Sequence, residues 1–496
     1  MDFPILSAIL LCPLAAVLVI MLIPAGRDEW VRWVSAVLSA IALALSTVLW
    51  FAYDPGAAGL QFTEHIPWVP AVGIDYHMAV DGYGVALIML NSLVLFTGVL
   101  TMWTLKVRVK EYFAFMMLLV VGVYGVFMTQ DLFLLFFFYE IAVVPMYPLI
   151  LIWGSTRKEY GAMKLMLFLL VGSALLFPAL LAIYHQAGLG TFSLVELGAH
   201  TFERDFQVFV YPFVYLGFGV LAGMFPFHGW SPTGHVAAPT AVSMLHAGVL
   251  MKLGAFGVLV VGIRLLPEGA LYWAPLFAVL AAVGIIYGGF VALRQNDFKF
   301  VIGFSSVSHM GIVLLGLNIG VIGFAGGDAS TGQSAFDGAV FQMFAHGVMT
   351  ALFFSTVGYI YETSHSKMIG DFGGLGSQMP KAVSIFIVAG LCGAGLPGLA
   401  SFWGELLVFL AALATFPLLG AVVVAGLVLT ALYVLRVFNQ AFFGPPNPKW
   451  EGLPDLRGWA LLPRALLVAV LVLFGFFPRA MLDLIGSTTS LLAEVF

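Results

Sequence analysis

Five ionisable side chains interrupt long apolar runs in this chain: Glu140 in DLFLLFFFYE, Lys252 in AGVLMKLGAFG, His309 in FSSVSHMG, His346 in FQMFAHG and Glu405 in FWGELLVF. A charge at the centre of a bilayer costs a few kcal/mol or more, so residues of these types are rare in spans and face protein or trapped water. Burial moves a carboxyl and an amine toward neutral pH, and an imidazole titrates there unaided. The chemistry they share is exchange of a proton. Counted from the starts of their spans, the four in unbroken helices lie about 12–17 Å deep at 1.5 Å of rise per residue, in a core of roughly 30 Å. A row of Glu, Lys and His at one depth suits a lateral proton relay, with water bridging gaps too long for direct hydrogen bonds. The plainer alternatives are satisfied core histidines at 309 and 346 and, at Glu405, a partner that closes an unwound segment. Glu140, between phenylalanines and Pro145, has no obvious local partner.

Two interrupted stretches must position this row. Between Val208 and Leu266 lie two apolar segments, the first broken at Gly223 and Pro226 and followed by His228, His235 and His246. A loosened helix frees backbone groups that lipid cannot satisfy, so it persists only against protein or a wet cavity. That marks an ion pathway; a proline kink with a snorkelling lysine is the alternative. Snorkelling suits Lys252 poorly, because the residue lies about eleven positions from the nearer end of its span, too deep for its side chain to reach the interface. The second break is GAGLPGLAS at 393–401, inside a run from 382 to 413 that is too long for one straight span. It reads as two half-helices joined by an unwound segment. Paired interruptions are the usual pointer to inverted repeats with a site near the midplane.

The whole chain fits this setting. Of 496 residues, 62% are hydrophobic and 9% charged, where soluble domains carry about 25% charged residues. The expected fold is an all-α polytopic membrane protein of about fourteen transmembrane helices, with two inverted five-helix repeats and broken helices seven and twelve. The helices fall at 4–24, 31–53, 80–103, 112–129, 132–153, 163–185, 208–228, 241–265, 272–294, 299–320, 338–361, 382–413, 417–443 and 460–478. Residues 1–110 then form three N-terminal helices, 111–266 and 267–445 the two repeats, and 446–496 a last helix with an amphipathic tail at the surface. The longest polar stretches, 54–79, 186–207 and 362–381, are loop-sized. Most Lys and Arg lie in or beside odd-numbered loops, while even-numbered loops and the tail hold Arg204, Arg264 and Arg479. The positive-inside rule then puts odd loops in the cytoplasm and both termini on the outer face. The N-terminus, MDFPILSAILL, has no basic n-region and reads as a retained span.

Other chemistry finds no support. A net charge of −5 with few charged residues makes no nucleic-acid surface. Cys12 and Cys392 lie in separate spans and suggest neither a disulfide nor an iron–sulfur site. His228 and His235 are poorly spaced for a metal and have no acidic or thiolate co-ligand nearby, so no metal is expected. Asp81, Asp131 and Arg294 sit near span ends and read as interfacial.

Seven stretches together carry a family resemblance: VDGYG (80–84), DLFLLFFFYEIAVVPMYPLILIWG (131–154), FPFHGWSPTGHVAAPTA (225–241), AGVLMKLGAFG (247–257), QNDFKFVIGFSSVSHMGIVLLG (295–316), FQMFAHGVMTALFF (341–354) and GLPGLASFWGEL (395–406). The chain resembles the antiporter-like membrane subunits of respiratory complex I, a proton-translocating NADH:quinone oxidoreductase, most closely the NuoM type. These are related to Mrp sodium/proton antiporter subunits. The resemblance implies a proton-translocating subunit with entry at Glu140, relay through Lys252, His309 and His346, and exit at Glu405. It implies no cofactor in this chain, with flavin, iron–sulfur clusters and quinone held by partner subunits. The implied partners are other membrane-arm subunits, including other antiporter-like ones, and the implied location is a bacterial cytoplasmic membrane. An Mrp-type cation/proton antiporter subunit is the alternative function, and a non-transporting scaffold a third. One departure stands out: the family places a lysine in helix seven where this chain has Leu221. Lys164, at the start of helix six, or His246 is therefore expected to supply part of the charge missing beside Glu140.

Overall fold

The computed structural model describes residues 3–57 and 59–496. Among them, thirteen helices are long and apolar enough to cross a membrane, and two shorter apolar helices, Pro380–Gly393 and Ala400–Thr415, lie in the region expected to hold a broken twelfth. The chain is a multi-pass membrane protein. Helix eight (Thr240–Ile263) and helix eleven (Ala329–Ser364) are enclosed by other helices over the whole of their most apolar stretch, and helix ten (Phe298–Ala325) over nearly all of it. Helices two (Asp28–Ala52), six (Lys158–Ala187) and fourteen (Gly458–Phe476) leave more than half of theirs on the outside. In lipid, apolarity alone does not decide which helix lies inside; close-packing small residues and polar groups do. The helices that carry Lys252, His309 and His346 are the innermost.

Glycine sets the closest of these contacts. A Cβ on Gly347 of helix eleven would lie 2.5 Å from the Gly248 carbonyl of helix eight, and a Cβ on Gly248 would lie 3.2 Å from the Gly347 carbonyl. The two backbones touch at this crossing. Gly347 adjoins His346, and Gly248 precedes Lys252 by one turn, so the crossing fixes the height at which the lysine meets the histidine. Helix eight also contains two π turns, His246–Leu250 and Val258–Ile263, on either side of Met251–Gly257. Such turns widen the helix and release carbonyls from the regular ladder, often at functional sites.

Three features differ from the sequence reading. Helix seven does not end near 228: it runs from Arg204 to Ala222, stops at Gly223 (φ +76°) and resumes as a short helix from Trp230 to Ala237. Pro226 cannot continue the ladder, while Pro232 lies in the first turn of the second piece, where a missing N–H costs nothing. Helix five divides into Leu132–Val143 and Met146–Trp153 at Pro145. The polar stretch 54–79 holds a β-hairpin, β1 (Gln61–Val69) paired antiparallel with β2 (Ile74–Val80). Its Glu64 carboxylate accepts from the Leu6 and Ser7 N–H groups, at 2.9 and 3.1 Å, at the start of helix one (Ile5–Leu22).

The acidic residues at span ends are helix caps. Asp81 accepts from Gly84 N (2.9 Å), Asp131 from Leu134 N (2.9 Å) and Asp297 from Lys299 N (2.8 Å). A cap is worth about 1 kcal/mol. Asp81 also joins helix three (Gly82–Thr101) to the end of helix eight through a 2.6 Å ion pair with Arg264. The tail forms a helix, Arg479–Leu492, whose apolar side packs on helices three and eleven.

Gly347→Ala should therefore cost about 1–3 kcal/mol through overpacking, read as a lower melting temperature in detergent. Gly370→Ala, with nothing within 4 Å of the added methyl, should melt like the native chain. Equal melting of the two variants would show that the crossing is not tight.

Candidate functional site

The row closes by direct contact over four of its five members. Lys252 Nζ donates to the Ala247 carbonyl, in the π turn below it, and to His346 Nδ1 at 2.7 Å. The His346 ring stacks on that of His309, with centroids 5.4 Å apart and planes 21° from parallel. His309 Nε2 then lies 3.3 Å from Glu405 Oε1. These four residues are between 0 and 2% exposed. Helices eight, eleven, ten and the second half of twelve each contribute one group.

The two histidines face opposite kinds of neighbour. His309 Nδ1 lies 2.8 Å from the Ser305 carbonyl, one turn back on its own helix, and Nε2 lies 3.0 Å from the Gly393 carbonyl as well as near Glu405. Carbonyl and carboxylate oxygens only accept, so a ring with N–H on both nitrogens satisfies every contact. His346 Nδ1 faces an ammonium and must accept, while its Nε2 has no protein partner. His309 thus donates on both sides, to a carboxylate and to two carbonyls, while His346 accepts a hydrogen bond from Lys252.

The unwound segment of helix twelve shapes the Glu405 end. Gly395 (φ +67°) passes so close that a Cβ there would lie 2.7 Å from Glu405 Oε2. Gln342 Nε2 donates to Glu405 Oε1 at 3.2 Å from helix eleven. Sequence reasoning passed over Gln342, although it precedes His346 by four residues and so shares its helical face. It also missed Ser305, whose hydroxyl bonds Tyr433 OH at 2.6 Å behind His309.

Glu140 stands apart from this row. Its Oε1 accepts from Ser173 Oγ of helix six at 2.5 Å. Among the described residues no Lys, Arg or His comes within 4 Å of it. The expectation that Lys164 or His246 partners Glu140 is not met by contact. Lys164 lies nine residues before Ser173, about 13 Å along the helix, and its Nζ donates to Thr233 Oγ1 at 3.1 Å. His246 stacks between Trp230 (4.8 Å) and His235 (4.0 Å). Leu221 is fully buried, so no cation takes the helix-seven position. The His235 and His246 rings, tilted 33° to one another, are fully buried, and among the described residues none of their four nitrogens has a partner. Buried nitrogens of this kind are ordinarily satisfied by ordered water. His246 immediately precedes Ala247, which receives Lys252, so the polar region extends from Lys252 toward the short helix 230–237. Two lysines hold the far end of that helix: Lys299 Nζ donates to the Ala238 carbonyl (2.7 Å) and Lys367 Nζ to that of Val236 (3.5 Å). Among the described residues no group of three or more His, Cys, Asp or Glu could hold a metal ion.

Comparison with known proteins agrees with this architecture. Residues 129–431 match the family described as NADH:quinone oxidoreductase/Mrp antiporter, transmembrane. The chain is 35% identical over 498 residues to NAD(P)H-quinone oxidoreductase chain 4 1 of Synechococcus sp. (strain JA-3-3Ab), covering 97% of this chain and 91% of that one. It superposes with a TM-score of 0.88 and 26% identity on a chain of respiratory complex I from Thermus thermophilus, over 99% of both. A chain of the Mrp complex from Dietzia sp. DQ12-45-1b shares the fold, with a TM-score of 0.85 and 21% identity over 100% of this chain and 98% of the other.

Removing the His309 ring with His309→Phe leaves Glu405 buried without its cation, a change that costs about 3–5 kcal/mol in comparable pairs. Thermal unfolding in detergent should fall accordingly, and Glu405→Gln in the same background should recover much of the loss. A double variant as unstable as His309→Phe would contradict the pairing.

Proposed function

From the premise that the chain belongs to the NADH:quinone oxidoreductase/Mrp antiporter transmembrane family, we propose that it is the NuoM-type proton-translocating subunit of a complex I-type NAD(P)H:quinone oxidoreductase. The observation that carries this reading is the unbroken row Lys252–His346–His309–Glu405 in the innermost helices. The named role of the Synechococcus relative, NAD(P)H-quinone oxidoreductase chain 4 1, supports the oxidoreductase over the Mrp alternative.

The residues act as follows in this proposal. A proton enters on the odd-loop side at Glu140, whose hydroxyl partner Ser173 orients the carboxyl without neutralising it. With no cation beside Glu140 among the described residues, its link to Lys252 runs through water near His235 and His246. Lys252 passes a proton to His346 Nδ1. His309 first delivers the proton it holds to Glu405 and, then singly protonated, becomes the next acceptor across the stack from His346. Transfer costs least when donor and acceptor are already aligned, and here the glycine crossing and the Gly393–Gly395 backbone hold them so. Lys164, bonded to Thr233, holds helix six against the short helix 230–237. The two five-helix units, 111–266 and 267–445, are inverted repeats in this reading, each with one broken helix. Redox chemistry belongs to partner subunits that hold the flavin, iron–sulfur clusters and quinone, and other antiporter-like subunits flank this one. The membrane is the bacterial cytoplasmic membrane, with both termini on the outer face.

Lys252→Ala, assembled into the complex at normal levels and reconstituted in proteoliposomes, should move fewer protons per electron. An unchanged ratio would make the chain a scaffold that joins neighbouring pump modules.

A further inference from the structure

One buried carboxyl in the spanning helices has no part in the row. Asp337 lies on helix eleven, nine residues or about 13 Å before His346 along the helix, and is 9% exposed. Among the described residues no cation lies within 4 Å of it. Instead its Oδ1 accepts from Thr489 Oγ1 at 2.5 Å and its Oδ2 from Gln333 Nε2 at 2.9 Å. Tyr83 OH, from helix three, bonds Thr489 at 2.7 Å, and the tail helix is pinned again where Gly82 N donates to Thr488 Oγ1 (2.9 Å). The tail helix holds this carboxyl directly, and helix three braces the tail helix at Thr488 and Thr489.

Its surroundings give it a direction. Toward the midplane, Gln342 lies five residues further along the same helix, about 7.5 Å, and donates to Glu405. At that junction Gln342 Oε1 and Glu405 Oε2 are buried without protein partners, as polar atoms bridged by water are. Helix eleven and the second half of helix twelve touch there: a Cβ on Gly338, next to Asp337, would lie 3.0 Å from the carbonyl of Gly404, next to Glu405. Toward the even-loop face, Gln333 joins Asp337 to the exposed Ser490, whose hydroxyl lies 3.4 Å from Gln333 Oε1.

We propose that Asp337 is the release group of the row: a proton leaving Glu405 protonates the Asp337 carboxylate through water beside Gln342 and departs to solvent past Gln333. Thr489 and Tyr83 are positioning residues that hold the carboxylate at this height. No bond other than O–H forms or breaks, and the carboxylate is restored after each passage. The proposal rests on Glu405 being the last member of the relay.

The test uses the assembled complex in proteoliposomes, comparing Asp337→Asn, Asp337→Glu, Thr489→Val and Glu405→Gln. Asparagine keeps the oxygen that Thr489 bonds but takes no proton, so Asp337→Asn should assemble and lose as much proton-to-electron ratio as Glu405→Gln. Asp337→Glu should restore it, and Thr489→Val, which loosens the carboxylate but leaves it able to take a proton, should lower the ratio by less than Asp337→Asn does while also lowering the melting temperature. Native pumping by Asp337→Asn alongside a defective Glu405→Gln overturns the release role and leaves the relay standing. Native pumping by both overturns the relay as well. A loss in Thr489→Val as deep as that in Asp337→Asn, or no rescue by glutamate, assigns the cluster a purely structural role and also overturns the proposal.

Discussion

The contact on which the rest depends is the crossing of helices eight and eleven at Gly248 and Gly347, where each α-carbon lies against the other's carbonyl. In lipid there is no hydrophobic drive to bring helices together, so such approaches decide which helices become neighbours. This one sets Lys252 and His346 at a common height. The π turn at 246–250 adds to it by turning the Ala247 carbonyl toward the lysine. A buried ammonium needs acceptors, since stripping its water costs several kcal/mol. Here a carbonyl from its own helix and a neutral imidazole from the next supply them. Neither carries a charge that would trap the proton.

The far end of the row is built on the other principle. Glu405 and His309 face one another as a carboxylate and a doubly donating ring, reinforced by the Gly393 and Ser305 carbonyls. Lys252 is thus solvated by neutral groups, and Glu405 is paired with a charge. In the proposed path the ion pair holds one proton on His309, so the next can arrive only after that one has been handed to Glu405. The stack of His346 on His309 is where the two regimes meet. Because each residue comes from a different helix, each of the three contacts is set by a different pair of helices.

Much of this was legible from residue types. An ionisable group inside an apolar run is so costly that its presence alone marks a site, which is why Glu140, Lys252, His309, His346 and Glu405 stand out without any structure. The break at 393–401 was equally plain, because Gly-Leu-Pro-Gly cannot continue a helix and the flanking run is too long for one span. Other features were hidden for physical reasons. The short helix 230–237 follows a Gly-Pro interruption and is too short for its periodicity to show. The hairpin 61–80 is polar and carries Pro67, so it reads as a loop until Glu64 is seen capping helix one. Gln342 and Ser305 are neutral, and their placement one turn from a histidine acquires meaning only when the neighbouring helices are in place. The absence, among the described residues, of a cation beside Glu140 followed from Leu221. The substitute for that partner could not be read, because Lys164 is near in sequence to the right helix but too far along it.

The central claim is that Lys252 and Glu405 belong to one connected path and do not serve two independent ones. Groups that act as a unit show strongly non-additive losses when removed together. The direct measurement is a double-mutant cycle on the proton-to-electron ratio of the reconstituted complex, using Lys252→Ala, Glu405→Gln and the pair. A single path predicts that the double variant pumps no worse than the more damaged single one. Losses that add fully in the double variant would contradict it.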